Sequence, residues 1–166
     1  MKKVIKVSSW IVFVLYCVIL FYILILDKAF SGYHQNLRNI LAHINLIPFR
    51  TIITCVIRLA GDSINVGTVV KNLVGNLLLF VPMGAFLPFA FDEMKKLWRV
   101  VLFLLLLILS VELTQIVLGI GSFDVDDLML NMLGGMLGYL VFLAPLIRKL
   151  SHWCFGKNER CNLPIY

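Results

Sequence analysis

Asp127, Asn131, Gly134 and Gly138 fall at i, i+4, i+7 and i+11 inside an otherwise apolar stretch, Phe123–Leu140. A 3.6-residue period places all four on one stripe of a helix. Two further polar pairs stand in apolar surroundings, Asn72 with Asn76 and Glu112 with Gln115, each spaced so that the partners are neighbours on a helix face. Carboxylates beside amides can do three kinds of chemistry: hydrogen bonding to sugars and peptide groups, proton transfer, and oxygen ligation of a divalent cation. Gly134 and Gly138 serve a different end, since a G-x-x-x-G pattern lets a neighbouring backbone approach closely. The same stripe therefore also reads as helix-packing glue.

The elements that must hold these residues are set by composition. Of 166 residues, 61% are hydrophobic and 14% charged, against about 45–50% and about 25% in soluble domains. The chain is an all-α, polytopic integral membrane protein with one embedded unit and no large soluble domain. Its net charge of +6 resides in Lys and Arg beside apolar spans, so it reports topology and no nucleic-acid partner is expected. Cys17 lies in a span, Cys55 in a loop, and Cys154 and Cys161 near the end, without a C-x-x-C pair. Neither a disulfide framework nor a metal site through cysteine is expected, and no cofactor is implied.

Four spans are expected. Trp10–Leu26 is a run of 17 apolar residues, just long enough to cross. It exceeds the core of a signal peptide, so a retained span is favoured over cleavage near Ala29-Phe-Ser31. Leu73–Phe91 is the second span, interrupted at Pro82 and Pro88, with a kink near Pro82. Val100–Leu118 is the third, and the fourth runs from Asp127 or Leu128 to about Ile147. Residues 27–71 form the long connection, broken by turns at Ser31-Gly32 and Gly61-Asp62 and at Asn45-Leu-Ile-Pro48-Phe49. Within it, Ile52, Ile53, Val56, Ile57 and Ala60 recur at helical spacing beside Arg50 and Arg58, which suits a short interfacial helix. His34 and His43 stand at no metal-ligand spacing and read as polar interfacial residues. Residues 151–166 read as a short cytosolic tail without a periodic apolar face.

Charge sets the orientation. Lys2, Lys3, Lys6, Lys95, Lys96, Arg99, Arg148, Lys149, Lys157 and Arg160 collect on the side of the termini, against Lys28, Arg38, Arg50, Arg58 and Lys71 opposite. Both termini are therefore expected in the cytoplasm. A rise of 1.5 Å per residue then puts Asn76, Glu112 and Asn131 roughly 6–10 Å below the outer surface. Polar groups from three spans at one depth point to a pocket opening to the outer leaflet, lined by Asn72, Asn76, Glu112, Gln115, Asp124, Asp127 and Asn131. Gly75, Gly84, Gly134 and Gly138 are the expected helix-packing positions.

Four pieces in this order resemble the VanZ-like family of bacterial membrane proteins: Asn45-Leu-Ile-Pro48-Phe49, Asn72-x-x-Gly75-Asn76-x-x-x-Phe80-x-Pro82-x-Gly84, Glu112-x-x-Gln115, and Phe123-Asp-Val-Asp-Asp127-x-x-x-Asn131-x-x-Gly134-x-x-x-Gly138-Tyr139. They cover residues 45–140 of a transmembrane domain read as residues 1–150. Many relatives carry an arginine two positions before the Phe-Asp-x-Asp-Asp piece, where this chain has Gly121. The resemblance implies a multi-pass protein of the bacterial cytoplasmic membrane, associated in the founding member with reduced susceptibility to teicoplanin-type glycopeptides. It implies no particular reaction.

Three functions compete at this point. One is a non-enzymatic protein that binds or shields a lipid-linked envelope precursor or a lipoglycopeptide among membrane lipids, with amides and carboxylates meeting the head and apolar walls the chain. Another is an intramembrane enzyme on a lipid-linked cell-wall or teichoic-acid precursor, with Glu112 as general base and Asp124 and Asp127 holding a cation. No activated nucleophile or phosphate loop of the G-x-x-x-x-G-K-[ST] kind supports it. A transporter is the third, but four spans without an inverted repeat make a poor alternating-access machine.

Overall fold

The computed structural model describes residues 2–30, 37–61 and 65–155, and helices are the only extended regular structure within them. The expected Ser31-Gly32 turn, His34, Asp62 and residues 156–166 lie outside the described residues. Helix α1 (Lys2–Phe21) passes through a π-helical turn (Tyr22–Leu26) into α2 (Asp27–Phe30). No glycine or proline precedes Gly32, so nothing interrupts this first span. The connection carries α3 (Leu37–Ala42) and α4 (Arg50–Ala60). Next come α5 (Val66–Leu79) and α6 (Val81–Ala90), a 3-10 turn (Asp92–Lys95), α7 (Leu97–Val117), α8 (Val125–Leu143) and α9 (Pro145–Phe155). Four stretches, Lys3–Phe30, Val69–Ala90, Leu97–Val117 and Val125–Leu143, are long and apolar enough to cross a membrane.

The second span breaks at Phe80, between α5 and α6. Pro82 has no N–H for the Leu78 carbonyl and its ring crowds that carbonyl, so the helix stops and restarts with Pro82 in its first turn. The end of α7 is a glycine stop. Gly119 adopts φ 71°, its N–H bonds the Ile116 carbonyl at 3.0 Å, and the Ile120 N–H reaches back to Gln115 at 2.9 Å.

Close approach of α5 and α6 to α8 makes the centre of the bundle. A Cβ on Gly134 would overlap the Leu77 carbonyl, one on Gly138 the Val81 carbonyl, and one on Gly84 the Gly135 carbonyl. Gly75 differs from this expectation. A Cβ there would meet no atom within 4 Å, so it is not a close-packing position. On the other side of α8, Val100, Leu104 and Ile108 of α7 recur every fourth residue and are buried. Helix α1 packs through aromatic rings, with Phe13 stacked on Phe86 at 3.8 Å and Trp10 edge-on to Phe86 and Phe91.

One boundary needs correction. The fourth span ends at Leu143, not near Ile147, because Pro145 forces Ala144 out of helical geometry to ψ 133°. The stretch read as the tail opens at Ser151 inside a helix. Helix α9 runs through that position, with Ser151 and Cys154 buried and the Ser151 hydroxyl donating to the Phe89 carbonyl at 2.7 Å.

Candidate functional site

The first turn of α8 organises one end of the bundle. Asp124 is its N-cap, accepting the Asp126 N–H on Oδ1 at 2.9 Å. The same oxygen accepts the Asn45 amide at 2.9 Å, while Oδ2 accepts the Thr51 hydroxyl at 2.6 Å. Backbone pairing reinforces the junction, with Asn45 N–H to Phe123 O at 2.8 Å and Val125 N–H to Asn45 O at 3.0 Å. Asp126 is fully buried and turns to the start of α4. It accepts the N–H groups of Phe49, Thr51 and Ile52 at 2.5, 2.7 and 3.2 Å. Those donors have no helical partner of their own, and a carboxylate suits the positive end of the helix. Phe49 is left-handed at φ 66°, a conformation costing a non-glycine residue roughly 1–2 kcal/mol. The Asp126 bond helps hold it there. Two acids of the Phe123–Asp127 stretch thus fasten the loop.

The third acid faces the bundle. Asp127 accepts the Asn76 amide at 2.5 Å, joining α8 to α5. Glu112, buried on α7, lies within electrostatic reach of Asp127, Asp124 and Lys28. Gln115 accepts Lys28 Nζ at 3.1 Å and donates to the Leu24 carbonyl at 2.9 Å, binding α7 to the π-helical turn of the first span. All four spans therefore supply the cluster: Lys28 from the first, Asn76 from the second, Glu112 and Gln115 from the third, and Asp127 from the fourth. Asn131, one turn deeper on α8, is 4% exposed and its Oδ1 meets no hydrogen-bond donor among the described residues. Such an atom costs about 1–3 kcal/mol unless something meets it.

A 420 Å³ cavity lies beside this cluster, lined by Arg50, Thr54 and Arg58 of α4, by His43, and by Asn72 and Asp124 among others. Of the seven residues expected around one open pocket, Asn72 and Asp124 line it. Asn76, Glu112, Gln115, Asp127 and Asn131 are not in its lining. For three of them the physical reason is mutual satisfaction: Asn76 and Asp127 bond one another, and Gln115 is taken up by Lys28 and Leu24. Sequence reasoning passes over Lys28, Asn45, Thr51 and Asp126. For Lys28 a signal existed, because it follows the first span at the depth of Gln115. The other three need the loop-to-α8 docking to be known.

Four apolar helical spans with a partly buried ionisable cluster at one end define a multi-pass membrane protein whose loop is docked onto its last span. More specifically, the chain belongs to the VanZ/LLP1 family, whose sequence profile matches residues 13–148. It is similar to Protein VanZ of Enterococcus faecium, with 32% identity over 72 residues, 43% of this chain and 44% of the relative. The matched segment thus spans less than half of that relative. No solved structure matches the chain.

Proposed function

We propose that this protein acts without catalysis, binding or shielding an outer-leaflet cell-envelope component in the bacterial cytoplasmic membrane. On this reading it lowers susceptibility to teicoplanin-type glycopeptides. The observation carrying the proposal is the meeting of Lys28, Asn76, Glu112, Gln115 and Asp127 from four spans beside a 420 Å³ cavity. Amides and carboxylates gathered beside a cavity are hydrogen-bonding groups for a polar head, and the excess of Lys and Arg at the opposite end supports an outward position for them. Helix α4 suits the interface in this arrangement, since Ile53, Val56 and Ile57 are exposed while Cys55 is buried.

One observation favours an intramembrane enzyme on a lipid-linked precursor as the second reading: Glu112 is buried where it feels the charge of a second carboxylate, Asp127. Asp124 weighs against its cation, because both of its oxygens already accept hydrogen bonds from Asn45, Thr51 and Asp126.

The test is mass spectrometry of lipids extracted with the protein in native membrane patches, paired with teicoplanin susceptibility of cells with and without it. Enrichment of one unaltered envelope lipid and a lower susceptibility are expected. A chemically altered lipid appearing only with the protein would favour the enzyme. Absence of any enrichment together with unchanged susceptibility would remove the binding reading.

A further inference from the structure

Helix α5 carries two different surfaces in line. Asn72 lines the polar cavity, and Gly75 and Leu79 line a second, apolar groove of 290 Å³ between α1 and the α5–α6 break, with Tyr16, Leu20 and Pro82. Positions 72, 75 and 79 lie at i, i+3 and i+7, on one helix face. The amide and the far end of the groove are therefore about 10 Å apart along a single track. Tyr16, which could make the groove polar, spends its hydroxyl on the Leu79 carbonyl at 2.6 Å. Ile19 and Leu78 at the rim are 57% and 58% exposed, so hydrocarbon can enter sideways from the bilayer. Gly75 keeps the groove open, since nothing lies within 4 Å of where its Cβ would be.

The polar end carries charge of one sign to spare. Arg50, Thr54 and Arg58 recur every fourth residue of α4 and line the cavity together. Among the described residues neither arginine forms a salt bridge. The acid in the lining, Asp124, already accepts hydrogen bonds from Asn45, Thr51 and Asp126. Guanidinium forks match phosphate oxygens in geometry and charge.

We infer that the cavity and the groove together hold one membrane lipid whose head is a phosphate, seated between Arg50 and Arg58, with its chain lying along Gly75 and Leu79. The inference rests on the outer-leaflet reading above and names the ligand class for it. The probes are farnesyl phosphate and farnesol, titrated onto the purified full-length protein and followed by native mass spectrometry. Farnesyl phosphate is expected to bind about tenfold or more tightly than farnesol, as charge-assisted bonds predict. The double variant Arg50→Gln/Arg58→Gln should lose that preference while keeping its affinity for farnesol. Gly75→Leu, which fills open space, should weaken both probes by a similar factor without lowering the unfolding temperature. Equal affinity for the two probes, a preference that survives loss of both arginines, or indifference to Gly75→Leu would each overturn the inference. If the probes behave as expected while no envelope lipid is enriched in membrane patches, the lipid site stands and the shielding role falls. The reverse pattern removes only the phosphate site.

Discussion

Asp126 accepts the backbone N–H of Phe49 at 2.5 Å and so fixes a left-handed loop residue to a helix 77 positions further on. The same carboxylate holds the next free N–H groups of α4, at Thr51 and Ile52. Asp126→Ala leaves those donors without an acceptor and should cost about 1–3 kcal/mol of stability. The expected signs are a lower thermal unfolding temperature in detergent and new trypsin cleavage after Arg50 and Arg58. Asp126→Asn, which keeps one acceptor oxygen, should fall between. An unchanged cleavage pattern in Asp126→Ala would show that α4 is held by something else.

Asp127 and Glu112 separate the two functional readings. Their amide replacements, Asp127→Asn and Glu112→Gln, keep size and most hydrogen-bonding capacity but remove charge. A binding protein should then lose only part of its effect on teicoplanin susceptibility. An enzyme using Glu112 for proton transfer would lose about 10²–10⁴ in rate and behave like cells without the gene. Susceptibility of cells carrying each variant, at matched protein level in the membrane, decides between them.

Glycines that look equivalent in the sequence should differ sharply when replaced. Gly84→Ala, Gly134→Ala and Gly138→Ala each push a methyl into a backbone carbonyl of a neighbouring helix. Each should cost about 1–3 kcal/mol through overpacking. Gly75→Ala meets open space and removes backbone freedom from a helix interior, so it should stabilise by about 0.5–1 kcal/mol. Unfolding temperatures of the four variants in one detergent are the measurement. A destabilised Gly75→Ala would contradict the groove beside it.

The spans are legible in the sequence because a bilayer demands about 20 apolar residues and tolerates few charges within them. The polar end of the bundle is legible too, but not the exact level: counting residues from each span end sets Asn76 beside Glu112 and Asn131, whereas Asn76 bonds Asp127, one turn nearer the start of α8. What the residues cannot reveal locally is who pairs with whom. Asp124 and Asp126 are two acids two positions apart, yet one meets Asn45 and Thr51 while the other caps α4. That division depends on a loop far away in the chain. Lys28 reads as a topological charge until the π-helical turn and Gln115 bring it to the cluster. Pro145 announces the end of α8, but the burial of Ser151 requires the Phe89 carbonyl of α6 to be in place.

Asn72 and Asn131 stand at opposite extremes of access at the polar end of the bundle. Asn72 is exposed and lines the cavity, whereas Asn131 is 4% exposed with its Oδ1 buried and unmet among the described residues. In a chain whose Cys17, Cys55, Cys154 and Cys161 are replaced by serine or alanine, Asn72→Cys should react with an impermeant maleimide added to intact cells. Asn131→Cys should react only after unfolding, because a thiol buried among packed helices is neither reached by the reagent nor readily ionised. Equal labelling of the two would mean that water fills the cluster and that the Asn76–Asp127 bond does not close it. Labelling of Asn72→Cys in inverted vesicles but not in cells would reverse the orientation, and would put the cavity and its arginines on the cytoplasmic side, where an outer-leaflet lipid cannot reach them.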